Sequence, residues 1–306
     1  MLSVVIVSWN VRDLLARCLH TLVSDLGTSS IDSRIVVVDN ASHDGSVGML
    51  RARFPQVDVK ALAENLGFAA GNNVGLRSLE TSEVLLLNPD TEIRPGAIRT
   101  LLDAHHSLPD AAVVTSCLVY GDGSFQHSAF RFPGLAQLYI DLFPVHPRLY
   151  ESRLNGRYAR RLYQAGRPFE IDHPLGAVML LRADAIRHVG FLDEGFALYC
   201  EEIDWCARFR AAGWRNYCVP TATVVHHGGQ STTQEQGVSF VKLWTARHRL
   251  HVKHRDFAPM PLARLIVRAG MRRRMRGASD DTRAACQRII DVWGQERHKD
   301  EARRTG

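Results

Sequence analysis

The 306-residue sequence predicts an α/β fold in which a mostly parallel sheet is flanked by helices and followed by a helical, basic C-terminal tail. Three observations predict it. Short apolar runs alternate with helix-length amphipathic stretches as far as Leu87. Polar clusters follow three of those runs, at the edge where parallel sheets receive their ligands. The positive charge is concentrated in one segment near the end of the chain.

Taken in order, Leu2–Val7 reads as a strand, Val11–Val23 as a helix and Arg34–Asp39 as a second strand. A helix over Ser46–Phe54, a strand at Val57–Leu62, a helix at Ala69–Leu79 and the strand Glu83–Leu87 follow. This βαβαβαβ rhythm calls for a sheet buried on both faces. From Gly121 to His173 the pattern is irregular and rich in Arg, Tyr, Phe and Pro, as in a long variable insertion. A second patterned block runs from Pro174 to His227. It contains a strand at Ala177–Leu181, helices at Ala183–Val189 and Glu201–Ala212, and strands at Arg215–Val219 and Thr223–Val225. The remainder, after Gln234, is mostly helical. The expected units are a domain over 1–233, divided at 1–120, 121–173 and 174–233, and an extension over 234–306.

Composition narrows the class. Hydrophobic content of 45% with 23% charged residues is that of a globular protein, which sets aside disordered and fibrous classes. The cysteines at 18, 117, 200, 206, 218 and 286 include no C-x-x-C pair, so neither a disulfide framework nor a zinc pattern is present. A reducing, cytoplasmic setting fits best. The opening MLSVVIVSWN lacks a basic start and reads as a strand rather than a signal peptide. No apolar run reaches membrane-span length. Lys242 to Arg276 holds eleven Lys or Arg against Asp256 alone, a net +10, leaving −4 for the rest of a chain of +6. Whatever this segment touches is expected to be anionic.

Four stretches carry chemistry. In LLLNPDTEI, Asn88, Asp90 and Glu92 follow the apolar run around Pro89. That is turn chemistry, or an oxygen-rich site for a hard cation such as magnesium or manganese. Asp39 ends the second strand, where a dehydrogenase would grip a ribose, but SWNVRD after the first strand contains no G-x-G-x-x-G. Gly67, Gly71 and Gly75 serve close helix packing or, for the first two, backbone approach to a ligand. In YCEEIDWCARFRAAGW, Glu201, Glu202 and Asp204 open a helix, as its dipole favours, yet three acids in four residues exceed what capping needs. A positioned carboxylate is what removing a proton from a hydroxyl requires. In VVHHGGQST, His226 and His227 end a strand before two glycines and offer an imidazole to a metal or phosphate.

VVIVSWN, VVVDNASHDGS, ENLGFAAGNN, LLLNPDTEI, GAVMLLRADAIRHVGFLDEGFALYCEEIDWCARFRAAGW and HHGGQS occur in that order. Together they resemble glycosyltransferase family 2, and within it the bacterial rhamnosyltransferase-like branch, over residues 2–231. The resemblance implies a GT-A fold with a Rossmann-like sheet, and inversion at the anomeric carbon of a nucleoside-diphosphate sugar. It makes 1–120 the nucleotide-sugar half and 174–233 the acceptor half. Ser8, Trp9 and Asn10 match its nucleotide-side loop, and Asp39, with Asn40 and Ser42 beside it, its nucleoside contact. Asn65, Gly67 and Asn72 match a donor-contacting segment. Asp90 matches the last acid of its D-x-D metal motif, with Asn88 in place of the first. Glu202 matches the second acid of its Glu-Asp pair, usually the catalytic base, with Glu201 before it. His226 matches a histidine that reaches metal or diphosphate. The Glu201-Glu202 pair departs from Glu-Asp by one methylene, which leaves open which of the two is the base.

The expected cofactor is Mg2+ or Mn2+, and the expected acceptor is glycan or polyprenyl-linked. A non-catalytic sugar-nucleotide-binding or scaffold protein of the same fold is the competing reading. The tail lacks interleaved aromatics, so no specific nucleic acid is expected. In PLARLIVRAGMRRRMR, Leu262, Leu265, Ile266 and Ala269 form one stripe, and Arg264, Arg268, Arg272 and Arg276 another. Either residues 261–276 lie on an anionic membrane, peripheral at the inner face, or the helix docks on the catalytic domain.

Overall fold

The computed structural model describes residues 1–78, 81–228 and 236–294. The predicted α/β fold is present. The chain opens with β1 (Leu2–Ser8), α1 (Arg12–Thr28), β2 (Ser33–Asp39), α2 (Ser46–Arg53), β3 (Asp58–Ala61), α3 (Gly67–Leu76) and β4 (Glu83–Leu87). Next come β5 (Thr91–Ile93), α4 (Ala97–Ser107), β6 (Ala111–Val119), β7 (Phe125–Gln126), β8 (Ala129–Phe130), α5 (Leu135–Leu142) and α6 (Arg160–Gln164). Then follow β9 (Phe169–Ile171), β10 (His173–Pro174), β11 (Val178–Arg182), α7 (Ala183–Val189), α8 (Glu201–Ala211) and β12 (Arg215–His226). Three helices complete the described chain: α9 (Gln236–Lys253), α10 (Met260–Met275) and α11 (Asp280–Gly294).

The main sheet has the order β3-β2-β1-β4-β11-β6-β12-β5. β3, β2, β1 and β4 are parallel neighbours, β11 runs against both β4 and β6, and β12 is parallel to β6. Both faces of this sheet are covered. Val4 and Ile6 of β1 pack with Leu15, Leu19 and Leu22 of α1, Leu50 of α2 and Leu101 of α4. Val5, pointing the other way, joins Leu76 of α3 and Trp205 and Phe209 of α8. The continuous apolar run of β1 is what burial on both sides demands.

Several boundaries differ from the sequence reading. α1 continues to Thr28, because Leu22 and Leu26 extend its buried stripe and buried Asp25 accepts hydrogen bonds from Gly96 N and Ile98 N near the start of α4. Leu79, the expected end of the third helix, lies outside the described residues. The two strands expected before His226 are one, β12, whose register with β6 shifts between Val219 and Thr223. Pro220 sits in that shift and has no N–H to give the ladder. The insertion is tied to the sheet, since β9 pairs with β12 over Asn216–Cys218. Its helix α5 packs with the tail: Leu138 and Leu142 share a cluster with Trp244, Val267, Met271 and Trp293.

The expected division of residues 261–276 into one apolar and one basic stripe is corrected. α10 buries Ala263, Val267, Gly270 and Met271. Arg264 and Arg268 are half-buried, whereas Leu262 and Leu265 are exposed, by 49% and 65%. The contact is close at Gly270, which abuts Leu142 where a Cβ would approach to 2.6 Å. Among the described residues no helix is long and apolar enough to cross a membrane.

Close approach also fixes α3 on β1. A Cβ at Gly75 would lie 2.4 Å from Val5 Cγ1, and one at Gly71 2.9 Å from Val7 Cγ1. Both glycines therefore serve helix packing. Gly75→Ala should destabilise the protein by about 1–3 kcal/mol through overpacking, measured by chemical denaturation. Val5→Ala should cost less in that background than alone, giving a coupling of roughly 1 kcal/mol in a double-mutant cycle.

Candidate active site

The register places Ser8 beside Asp39 and Val5 beside Leu86, so the loops after β1, β2 and β4 open along one edge. Antiparallel β11 starts at that edge, with Leu175 and Gly176 just before it. A cleft of about 700 Å³ lies there. Trp9, Asn40, Asn65, Gly67 and Asn88, all expected on the donor side, line it. Ser8, Asn10, Asp39, Ser42 and Asn72 do not, and they shape the loops from behind. Ser42 Oγ accepts from Asn10 N at 3.0 Å, Asp39 Oδ2 from Ser42 N at 2.9 Å, and Asn10 Oδ1 from His43 N at 2.8 Å. Asn72 turns back and donates to Phe68 O. Asn40 holds the neighbouring loop at both ends, accepting from Leu66 N at 2.9 Å and donating to Gly67 O at 3.1 Å. Gly67 has φ +83°, and a Cβ there would meet Ala197 O at 2.3 Å, so only glycine lets these two loops touch.

Opposite these loops stands the start of α8. Tyr199 and Cys200 immediately before it have φ of 71° and 70°, and consecutive left-handed non-glycine residues store strain. That turn aims Glu201 and Glu202 at the cleft, which both line. Glu201 is buried, and its Oε2 has no hydrogen-bond partner among the described residues. Burial, then the neighbouring Glu202 charge, pushes its carboxyl well above the usual range. Burial raises Glu202 to about 7. Burial thus raises both carboxyls, and Glu201 also faces the Glu202 charge.

Asp204 does not belong with them. Two residues further along a helix is 200° round the axis, so Asp204 points away from Glu202. Its fully buried carboxylate is paired with His254 Nε2 and Lys253 Nζ, both at 2.8 Å, and with Arg208 Nε at 2.9 Å. Burial alone would raise this carboxyl, and the three partners outweigh it and hold it below the usual range. Asp204 anchors α9 to α8.

The fourth wall joins Asp90 and His226. β5 pairs with β12 so that His226 lies opposite Thr91, next to Asp90. Both side chains are buried, with His226 Nε2 3.4 Å from Asp90 Oδ1. His226 Nδ1 lies 3.1 Å from Gln126 Oε1, so it is Nε2 that faces Asp90. A ring nitrogen and a carboxylate oxygen converging so closely suit a divalent cation. Among the described residues no cluster of three or more His, Cys, Asp or Glu ligands forms, so a cation would rely on its own nucleotide and water for further ligands. His227 alternates to the other face and binds Glu92 at 2.8 Å. Gly229, Gln230 and Ser231 of the HHGGQS stretch lie outside the described residues.

Sequence reasoning missed Leu198 and Tyr199, and also Ser239 and Lys242 of α9, all of which line the cleft. Lys242 opens the basic segment, and that was its one available signal.

The raised Glu202 has a consequence for stability. Folded Glu202 keeps a proton that the unfolded chain releases from about pH 4.5, so stability falls as pH rises from there to about 7. Glu202→Gln removes this penalty. Urea titrations should find the variant gaining stability relative to wild type as pH rises from about 4.5 to about 7.

Comparisons with known proteins follow the same lines. The Glycosyl transferase family 2 profile matches residues 3–190, short of Glu201, Glu202 and His226. The chain is 30% identical over 214 residues to the N-acetylglucosaminyl-diphospho-decaprenol L-rhamnosyltransferase of Mycobacterium tuberculosis, covering 66% of this chain and 68% of that protein. It is 28% identical over 171 residues to rhamnosyltransferase WbbL of Escherichia coli K12, covering 53% and 61%. The mannosyltransferase PcManGT from Pyrobaculum calidifontis, solved with GDP-Man and Mn2+, superimposes with a TM-score of 0.56 at 15% identity, over 95% of this chain and 73% of that one. GalNAc-T7, solved with UDP, GalNAc and Mn2+, gives 0.56 at 15% over 74% of this chain and 43% of that one. These structural likenesses show the GT-A fold. The chain belongs to glycosyl transferase family 2 and is a glycosyltransferase.

Proposed function

We propose that the protein is an inverting, metal-dependent transferase that moves a sugar from a nucleoside-diphosphate donor to a hydroxyl of a lipid-linked or glycan acceptor in polysaccharide assembly. Likeness to two rhamnosyltransferases favours rhamnose, and the decaprenyl-diphosphate substrate of the mycobacterial relative favours a polyprenyl-linked acceptor. The observation that carries the reading is that Glu202 and the Asp90–His226 pair line one cleft with Trp9, Asn40 and Asn88.

In this reading Trp9, Asn65 and Asn88 contact the donor, and Ser8, Asn10, Asp39, Asn40, Ser42 and Asn72 hold the loops that shape its pocket. Asp39 Oδ1 and Ser8 Oγ are buried without a hydrogen-bond partner among the described residues, behind the loops rather than on the cleft surface. Asp90 and His226 would hold a Mg2+ or Mn2+ ion, which when bound neutralises charge developing on the leaving diphosphate. Glu202 takes the proton from the acceptor hydroxyl. The hydroxyl oxygen bonds to the anomeric carbon from the face opposite the diphosphate, whose C–O bond breaks with the electron pair leaving on the nucleoside diphosphate. Glu201, protonated and adjacent, keeps the local charge low enough for Glu202 to ionise near neutral pH.

Donor binding and turnover test the scheme together. Asp90→Ala should abolish metal-dependent donor binding, measured calorimetrically with and without Mn2+, while leaving the thermal midpoint near wild type. Glu202→Gln should bind donor normally and lose turnover roughly a hundredfold or more. Wild-type turnover should climb as pH rises to about 7 and level off above it, the limb set by Glu202. A dead Glu201→Gln beside an active Glu202→Gln would move the base by one residue.

The expected contact with an anionic membrane belongs to this reading as well, placing the enzyme peripherally on the inner face of the cell membrane. The exposed face of α10 supports it: Leu262 and Leu265 occupy its first half and Arg272 its last turn, with Arg276 just past its end. Arg274 stacks on Phe240 at 4.5 Å and Arg273 donates to Leu142 O at 3.3 Å, so both are spoken for. Sedimentation with vesicles should show binding that requires anionic lipid, weakens with salt and falls at least several-fold when Arg272 and Arg276 become Ser. Equal binding to neutral vesicles, or none to anionic ones, would leave α10 a purely structural helix.

A further inference from the structure

We infer that Lys242, with Ser239 beside it, is a diphosphate-contacting residue of the cleft, and that α9 is a wall of the active site. The inference rests on the nucleotide-sugar reading above. Ser239 and Lys242 are three residues apart, hence on one face of α9, and both line the cleft. Among the described residues lining it, Lys242 is the one Lys or Arg, set against the carboxyl groups of Asp90, Glu201 and Glu202. A diphosphate brings two or more negative charges into that company. One divalent cation offsets only part of the sum, and a flexible ammonium is suited to meeting phosphate oxygens.

The far end of α9 fixes where this lysine stands. Arg249 Nη2 grips Asp193 at 3.0 Å from each oxygen, and Lys253 Nζ bridges Asp193 at 2.7 Å and Asp204 at 2.8 Å. Gly195 leaves no room for a side chain beneath Arg249, whose guanidinium would lie 2.1 Å from a Cβ there. The Asp193–Tyr199 loop and α8 are thus bound to the helix that presents Lys242. The basic tail thus meets anionic partners inside the chain, and its first cation, Lys242, stands on the cleft wall.

Two diphosphates reach such a site, that of the nucleotide donor and that of a prenyl-linked acceptor, and the test separates them. Titration calorimetry on the full chain with Mn2+ would use UDP, dTDP and their monophosphates, with farnesyl diphosphate as the prenyl probe. Lys242→Ala should weaken binding of a nucleoside diphosphate about tenfold and its monophosphate much less, with Lys242→Arg retaining most of the affinity. The KM for donor should rise in proportion while kcat changes little, and the thermal midpoint should hold because Lys242 is exposed. A loss confined to farnesyl diphosphate would keep the residue on a diphosphate and assign it to the acceptor. Unchanged binding of every probe that wild type binds would overturn the inference alone. Failure of wild type to bind any diphosphate would overturn the nucleotide-sugar reading, and this inference with it.

Discussion

A carboxylate with no solvent exposure has to be met by partners where it lies, and Asp204 is met by Arg208 of its own helix, Lys253 of α9 and His254 just past it. Removing one partner from a buried ion cluster is far more damaging than never having built it, so the arrangement holds α8, α9 and the preceding loop as one unit. From that unit follow the entry angle of α8, the strained Tyr199–Cys200 turn and the direction of Glu201 and Glu202. Asp193 extends the same clamp one loop further, held below the usual carboxylate range against its burial by Lys253, the Gly195 N–H and Arg249. The carboxyls that line the cleft are aimed by this interior electrostatics.

The two adjacent glutamates show how one environment separates identical groups. Both are desolvated, but the deeper one also faces the other's charge, so protonation falls unequally. A base with a carboxyl near neutrality is a better proton acceptor than an ordinary surface glutamate. It is also a folding liability at alkaline pH, and activity and stability therefore draw on the same burial in opposite directions.

Much of this was legible beforehand, for definite reasons. β1 to β4 and their helices announce themselves because burial on both faces leaves uninterrupted apolar runs, and Asn88 and Asp90 stand out as polar residues ending one. The strand β5 is three residues long, too short for any period to register. Yet β5 is what carries Asp90 to His226. Three acids in the first turn of a helix look alike in one dimension, whereas 200° of rotation makes Asp204 an anchor and Glu202 a candidate base. The same alternation sends His227 to Glu92 and His226 to the cleft. Lys242 was visible only as a charge, since the placing of its helix depends on Arg249 reaching Asp193, 56 residues back along the chain.

The position of β11 bears on how such a chain comes to be folded at all. β11 is read out after residue 177, yet it fills the gap between β4 and β6, which are complete by Val119. Until it arrives, Glu83–Leu87 presents an apolar strand with one side unpaired, and such edges recruit other chains. Nascent or truncated molecules ending in the insertion would therefore be prone to aggregate. Closure of the sheet by β11 joins the two parallel groups of strands, and the cleft forms only when synthesis has passed α9. Residues 1–120 are consequently not an autonomous folding piece, because the inner edge of their sheet is finished by the chain that follows.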